Sequence, residues 1–245
     1  LQETAVRAVQ AAVSTRLLGG NVLDKYPMRI FFAKRGRAIY ISHLDLMRTM
    51  QRALKRSGLP VWYSEGFNPR IYLNFPLALS LGVIGEHEAV DVHLTKTVTA
   101  DEIVEQLGRV MPDGLEILSA ASPVYPNKVI GSAAYSVVFS NDSNEDLAGM
   151  LERYLSQETI EVMKHSKRKG MISVDIKPHL EIRNVTMSDN DMTVDFVLPS
   201  GLELNLNASV FIDSFIKWCN DNDVDISFKC LKRTKIFCVD GAEFA

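Results

Sequence analysis

With 245 residues, 47% of them apolar and 23% charged, the chain can bury one large core or two modest ones without metal or disulfide staples. No apolar run approaches the roughly 20 residues that cross a bilayer, which excludes a helical membrane protein. Cys219, Cys230 and Cys238 are an odd number at spacings that fit no zinc or iron–sulfur pattern, and with no secretory signal they read as reduced thiols in the cytoplasm.

The net charge of −3 hides an asymmetry. Residues 1–75 hold 12 Lys and Arg against 4 acids, a balance of +8; subtracted from the chain totals of 27 and 30, this leaves 15 bases and 26 acids, or −11, for residues 76–245. Such a basic segment either binds a polyanion or pairs with the acidic segment in the fold.

Residues 1–27 carry a short Ala/Val-rich helical pattern ending at Gly19-Gly20 and are expected to be a linker, a tag or the remnant of another domain, with Met28 a natural start for the folded unit. From Arg29, "RIFFA" and "AIYIS" read as strands around "KRGR", where Gly36 permits a turn. The periodicity predicts a helix over about 43–57. "LPVWYS" and "RIYLNFPLAL" resume extended structure around a loop marked by Gly66, Asn68 and Pro69. "EAVDVHLT" alternates with period two, "TADEIVEQLGRVM" is an amphipathic helix capped by Thr99, and "GLEILSAAS" is a strand. The order β-α-β-β-α-β is the split βαβ, or ferredoxin-like, motif, and defines a first domain over 28–122.

Residues 123–134 have the turn residues of a linker. In 135–245, "AYSVVFS", "TIEVMKHS", "GMISVDI", "LEIRNVTMS", "MTVDFVLP", "DISFKCL" and "KIFCVD" read as strands, and "NEDLAGMLERYLSQ" and "NASVFIDSFIKWCND" as helices. The expected class is α+β, with two ferredoxin-like domains whose antiparallel sheets are covered by helices.

Ser42, His43 and Asp45 have the residue types of a hydrolase. Neighbours in sequence do not form a triad, which needs a base brought in from elsewhere in the fold. Ser followed three residues later by an acid, ahead of an apolar-periodic run, is instead a capping box, and it assigns Ser42 and Asp45 to a helix start. Leu44, Met47, Met50 and Leu54 form the apolar stripe expected to face the sheet. Arg48, Arg52, Lys55 and Arg56 share the opposite face, where like charges repel by roughly a few tenths of a kcal/mol per pair. Acids elsewhere in the fold or an external polyanion must meet them. Lys34 and Arg37 of the preceding turn extend this patch. His43 either bonds a backbone carbonyl or serves phosphate and ribose, as a contact or as a general acid/base.

In "YSEGFNPRIY", Tyr63, Phe67 and Tyr72 surround Arg70, an arrangement that stacks nucleobases or plugs the edge of a core. In "KHSKRKGMISVDIKP", Lys164, Lys167, Arg168, Lys169 and Lys177 gather around Gly170, as in a phosphate-backbone clamp or a protected strand edge. "HEAVDVH" places His87, Ala89, Asp91 and His93 on one face of a strand, and no metal site is expected there.

"FFAKRGRAIYISHLDLMRTMQRALKRSGLPVWYSEGFNPR" followed by "LSLGVIGEHEAVDVHL" resembles the radical-SAM-linked family of bacterial proteins, a domain of unknown function. Lys34, Gly36, Ser42-His43-Leu44-Asp45, Arg48, Arg52-Ala53, Pro60, Ser64, Gly66-Phe67, Pro69 and Glu88 fall in its pattern, and "RKGMISVDIKP" is similar to its second signature, with Lys177 where arginine is expected. The resemblance implies a partner, fused or encoded nearby, that carries the iron–sulfur cluster and S-adenosylmethionine, because this chain has no CxxxCxxC and holds no cofactor itself. The expected protein is a non-catalytic RNA-binding or substrate-presenting accessory module in tRNA or rRNA modification. Arg48, Arg52, Lys55, Arg56, Lys34 and Arg37 would hold phosphates, Phe67 and Arg70 would meet bases or ribose, and Lys167, Arg168 and Lys169 would add a second contact. One rival is a metal-independent endoribonuclease using His43, and another is an adaptor docking the radical-SAM partner.

Overall fold

The computed structural model describes residues 25–141, 146–166 and 170–245, with the backbone alone at 165 and 166. The elements run β1 (Tyr26–Lys34), α1 (His43–Ser57), β2 (Leu73–Asn74), β3 (Ile84–Leu94), α2 (Ala100–Gly108), β4 (Leu115–Ala121), β5 (Ile130–Ser140), α3 (Leu147–Ser156), β6 (Glu161–Ser166), β7 (Gly170–Asp175), β8 (Glu181–Ser188), β9 (Asp191–Pro199), α4 (Ser209–Asp221) and β10 (Ser227–Cys238).

One sheet has the order β4-β1-β3-β10-β5-β9-β8, with β2 pairing β3 off this path and β6-β7 forming a separate hairpin. In each half a late strand lies beside the first and the two middle strands follow. The class is α+β, but two distinct ferredoxin-like domains are not resolved, because β3 and β10 join the halves into a single sheet. That seam is parallel and short, pairing Lys232 with Ile84 and Arg233 with Gly85, whereas the other neighbours are antiparallel.

Helix α1 forms where local chemistry directs it. Asp45 N–H donates to Ser42 Oγ at 3.1 Å to satisfy an orphan amide, and Gly58 ends the helix with φ of +77°, a conformation glycine adopts without a Cβ clash. Leu46, Met50, Ala53 and Leu54 are buried against Ile30, Phe32, Val90 and Val92 of the sheet; full burial of each of the larger side chains is worth roughly 1.5–3 kcal/mol. This corrects the expected stripe: Leu44 is 52% exposed and Leu46 takes its place. Helices α3 and α4 cover the second half over Tyr154, Phe139, Phe196, Phe211 and Phe215. A smaller cluster, including Phe31, Ala89, Ile236 and Phe244, lies on the opposite face of the sheet.

Three further expectations change. "AIYIS" is no strand: Gly36–Tyr40 is a 3-10 turn, entered through Gly36 at φ +54°. Residues 58–72 are mostly irregular, with isolated bridges Val61–Leu94 and Tyr63–Ile71, and the strand expected over "RIYLNFPLAL" shrinks to β2. The two strands expected at 225–240 are one, β10, whose charged "KRTK" is interrupted by a bulge between Arg233 and Lys235.

No helix among the described residues is long and apolar enough to cross a membrane.

Candidate nucleic-acid interface

The capping box of α1 closes through side chains: the Ser42 hydroxyl donates to Asp45 Oδ2 at 2.7 Å, and Arg48 Nη1 reaches Asp45 Oδ1 at 3.3 Å. Arg52 and Lys55 follow along the exposed face and form no ion pair among the described residues. The chain beyond the helix returns beside it. Gln51 Nε2 donates to Ile71 O at 3.3 Å, and the loop is clasped at its neck by Ser64 N to Arg70 O at 2.8 Å and Arg70 N to Ser64 Oγ at 3.1 Å. Between helix and loop runs a groove with Arg48, Arg52 and Lys55 on one wall and Tyr63, Pro69 and Arg70 on the other. Phe67 is fully exposed in the 64–70 loop.

Four cations thus line one groove, and Asp45 pairs with one of them, Arg48. An exposed Arg–Asp pair is worth about 0–1 kcal/mol, so it leaves the groove's positive potential largely in place. The charged groups of the groove are exposed while Ile71 forms part of its floor, and its chemistry is that of charge and an aromatic edge.

Other residues expected in this patch stand elsewhere. Lys34 is 1% exposed; its Nζ donates to Ile39 O at 3.2 Å and Ile41 O at 3.3 Å, bracing the 3-10 turn from inside. Burial pushes its pKa below the ordinary 10.5, opposed by Glu88 and aided by Arg233. It therefore cannot extend the surface patch. Arg56 Nη2 donates to Val110 O at 3.0 Å, toward the end of α2. Arg37 is exposed on the 3-10 turn, and its neighbour Arg35 is taken by Glu86 at 2.9 Å and Glu116 at 2.8 Å. His43 is exposed with its ring edge-on to Phe75 at 5.1 Å. Lys167, Arg168 and Lys169 lie outside the described residues, while Lys164 and Lys177 donate to Asn205 O and Gln157 O. Asp175 lies on β7. It accepts from Ile160 N at 2.8 Å and Lys177 N at 3.0 Å, and these amides hold its carboxyl below the usual range.

The sequence reading missed two buried cations. Arg29, 1% exposed, pairs with Asp91 at 2.7 Å and donates to Tyr125 O, Asn127 Oδ1 and Ala245 O while lying over the Phe244 ring at 4.0 Å. Arg233, 3% exposed, pairs with Glu88 across the β3–β10 seam and donates to Leu77 O and Ala78 O. Burial works against the Arg233 charge, but Glu88 and Tyr135 together hold the guanidinium pKa up. Gly85 is required beside this pair, because a Cβ there would collide with the Glu88 side chain. Long-range pairs leave no local spacing to find; the one available signal was an arginine interrupting an otherwise strand-like run at 227–238.

Among the described residues no group of three His, Cys, Asp or Glu could hold a metal ion, and the three cysteines are free thiols. Burial raises the Cys219 pKa to about 11.

No curated protein matches this sequence. The fold is similar to a chain in the crystal structure of a Cbf5-Nop10-Gar1 complex, at 7% identity and a TM-score of 0.47, covering 86% of this chain and 49% of that one. The chain spans about half the length of that protein, a likeness too loose to carry anything about what this one binds. The model of a family described as "Uncharacterized protein conserved in bacteria (DUF2344)" matches residues 27–208, taking in the groove, Lys34 and Glu88. Matched over most of its length, the chain belongs to that bacterial family, DUF2344.

Proposed function

We propose that the chain is an RNA-binding accessory module that performs no chemistry of its own and presents RNA to a radical-SAM partner in the cytoplasm. The observation that carries this reading is the groove in which Arg48, Arg52, Lys55 and Arg70 converge, with Arg48 paired to Asp45. Phosphates release counterions from such a surface, which gives affinity that falls steeply with salt. The partner enters through the resemblance of the motif residues and would supply the cluster and S-adenosylmethionine. Reading the module as non-catalytic is supported by the engagement of Ser42 and Asp45 in the helix cap, which leaves His43 with a ring contact in place of a proton-relay partner.

The test is binding of bulk tRNA and ribosomal RNA fragments across a salt series, wild type against Arg52→Glu with Lys55→Glu. The expected result is tight binding that weakens with salt, reduced at least about tenfold in the variant with a shallower salt dependence. Wild-type affinity in the variant, or no binding at low salt, overturns the reading.

A further inference from the structure

On the sheet face opposite α1, the 61–74 segment builds a second recess. The Tyr72 ring stacks on His93 at 4.3 Å and 18°, and Trp62 meets both edge-on at 6.4 and 6.0 Å. The Lys25 ammonium sits over Trp62 at 4.1 Å. Tyr72 is 37% exposed, whereas Trp62 is 9% exposed and backs the stack. Beside it, Asn74, Asp91, Val124 and Tyr125 help enclose a recess of about 400 Å³, within the roughly 300–1,000 Å³ of small-ligand sites.

Asp91 is held in place and can still accept from a ligand donor. Arg29 holds both Asp91 oxygens, at 2.7 and 3.1 Å, and is itself anchored by three oxygens of the surrounding chain. Each carboxylate oxygen retains an acceptor site. The Asn74 amide, half-buried, has no hydrogen-bond partner among the described residues and offers both a donor and an acceptor. Burial and Lys25 lower the His93 pKa against the opposing Asp91, which favours the neutral ring under Tyr72.

We propose that this recess binds an unpaired nucleobase bearing an exocyclic amine (cytosine, adenine or guanine), stacked on Tyr72 with its amine donated to Asp91 and its ring edge met by Asn74. The same chemistry could come from RNA or from a free nucleotide. The RNA source rests on the function proposed above and on the chain path, since Ile71 alone separates Tyr72 from Arg70 of the basic groove.

The test uses the full chain carrying Trp218→Phe, so that Trp62 reports, with CMP, AMP and UMP and with ten-residue oligo-C, oligo-A and oligo-U; calorimetry on the unsubstituted chain repeats each titration. CMP and AMP should change Trp62 emission at several-fold lower concentration than UMP. Tyr72→Ala should weaken both mononucleotides and oligomers about tenfold, since one stacked base is lost, while Tyr72→Phe stays within about twofold. If the base comes from RNA, oligomers bind more tightly than mononucleotides and Arg52→Glu weakens the oligomers alone. Mononucleotides binding as well as oligomers would keep the recess and reject the RNA source. Oligomers that bind equally to wild type and Tyr72→Ala, with no mononucleotide response, would overturn the recess and leave the groove standing. Silence toward every ligand would overturn both.

Discussion

His93 shows how a single residue reports on its surroundings. Its ring stacks on Tyr72 and meets Trp62 edge-on, and burial, followed by Lys25, holds its pKa below the ordinary 6.5 against the opposing Asp91. The unfolded chain therefore takes up a proton at this site before the native one does, and stability must fall as pH drops below 6.5 until native His93 also protonates. Urea midpoints measured at pH 7.5 and 5.5 should drop further for wild type than for His93→Gln; equal drops would mean that His93 is not perturbed. The same environment was invisible in "HEAVDVH", where period two correctly placed His87, Asp91 and His93 on one face but said nothing of Tyr72, which arrives from a loop. Lys34 taught the reverse lesson. Beside Arg35 and Arg37 it looked like one more surface cation, yet it is the last residue of β1, and its ammonium turns under the 3-10 turn to carbonyls that sequence spacing cannot reveal.

At the scale of elements, what was legible was what is local. Both Ser42 and Thr99 cap their helices through the amide three residues on, because an orphan N–H and a short hydroxyl need no distant partner. Ser42→Ala should cost about 1 kcal/mol of stability, read by chemical denaturation, with RNA affinity unchanged within about twofold. A larger loss of binding than of stability would move Ser42 from the cap into the groove. The face of α1 was harder. Rows beginning at Leu44 and at Leu46 both pass through Met50 and Leu54, so periodicity alone could not choose between them, and the sheet chose Leu46. The cationic row is separate from both, which is why Arg48, Arg52 and Lys55 were found together from spacing while Arg70, which completes the groove, had to be brought by the fold. Propensity failed at "AIYIS", where β-branched and aromatic residues lose to the turn set by Gly36 and Lys34.

For the whole molecule, the point of greatest leverage is the seam. It consists of two paired positions in a parallel ladder, under which the buried Arg233–Glu88 pair ties the two halves. Breaking a buried pair from one side leaves a charge without compensation, so Arg233→Met should cost about 3–5 kcal/mol. Combined with Glu88→Leu, the loss should be smaller than the sum of the single losses by roughly 1–3 kcal/mol. Denaturant midpoints of the four proteins measure this, and simple additivity would show that the two side chains do not act as a pair. The α+β class and most strands were readable from alternation, but the union of the halves was not: "DISFKCL" and "KIFCVD" read as two strands, and the carboxylate that explains the arginine between them lies 145 residues earlier.

That separation orders the protein's assembly on the ribosome. At about 5–20 residues per second, Arg233 emerges roughly 7–30 seconds after Glu88. During that interval Glu88 has Lys34 of its own half as a charged neighbour but lacks Arg233, and β3 presents the edge where β10 will dock. A charged side chain at an open strand edge disfavours pairing with a neighbouring chain, so the residue that locks the finished sheet stands where the unfinished one is open.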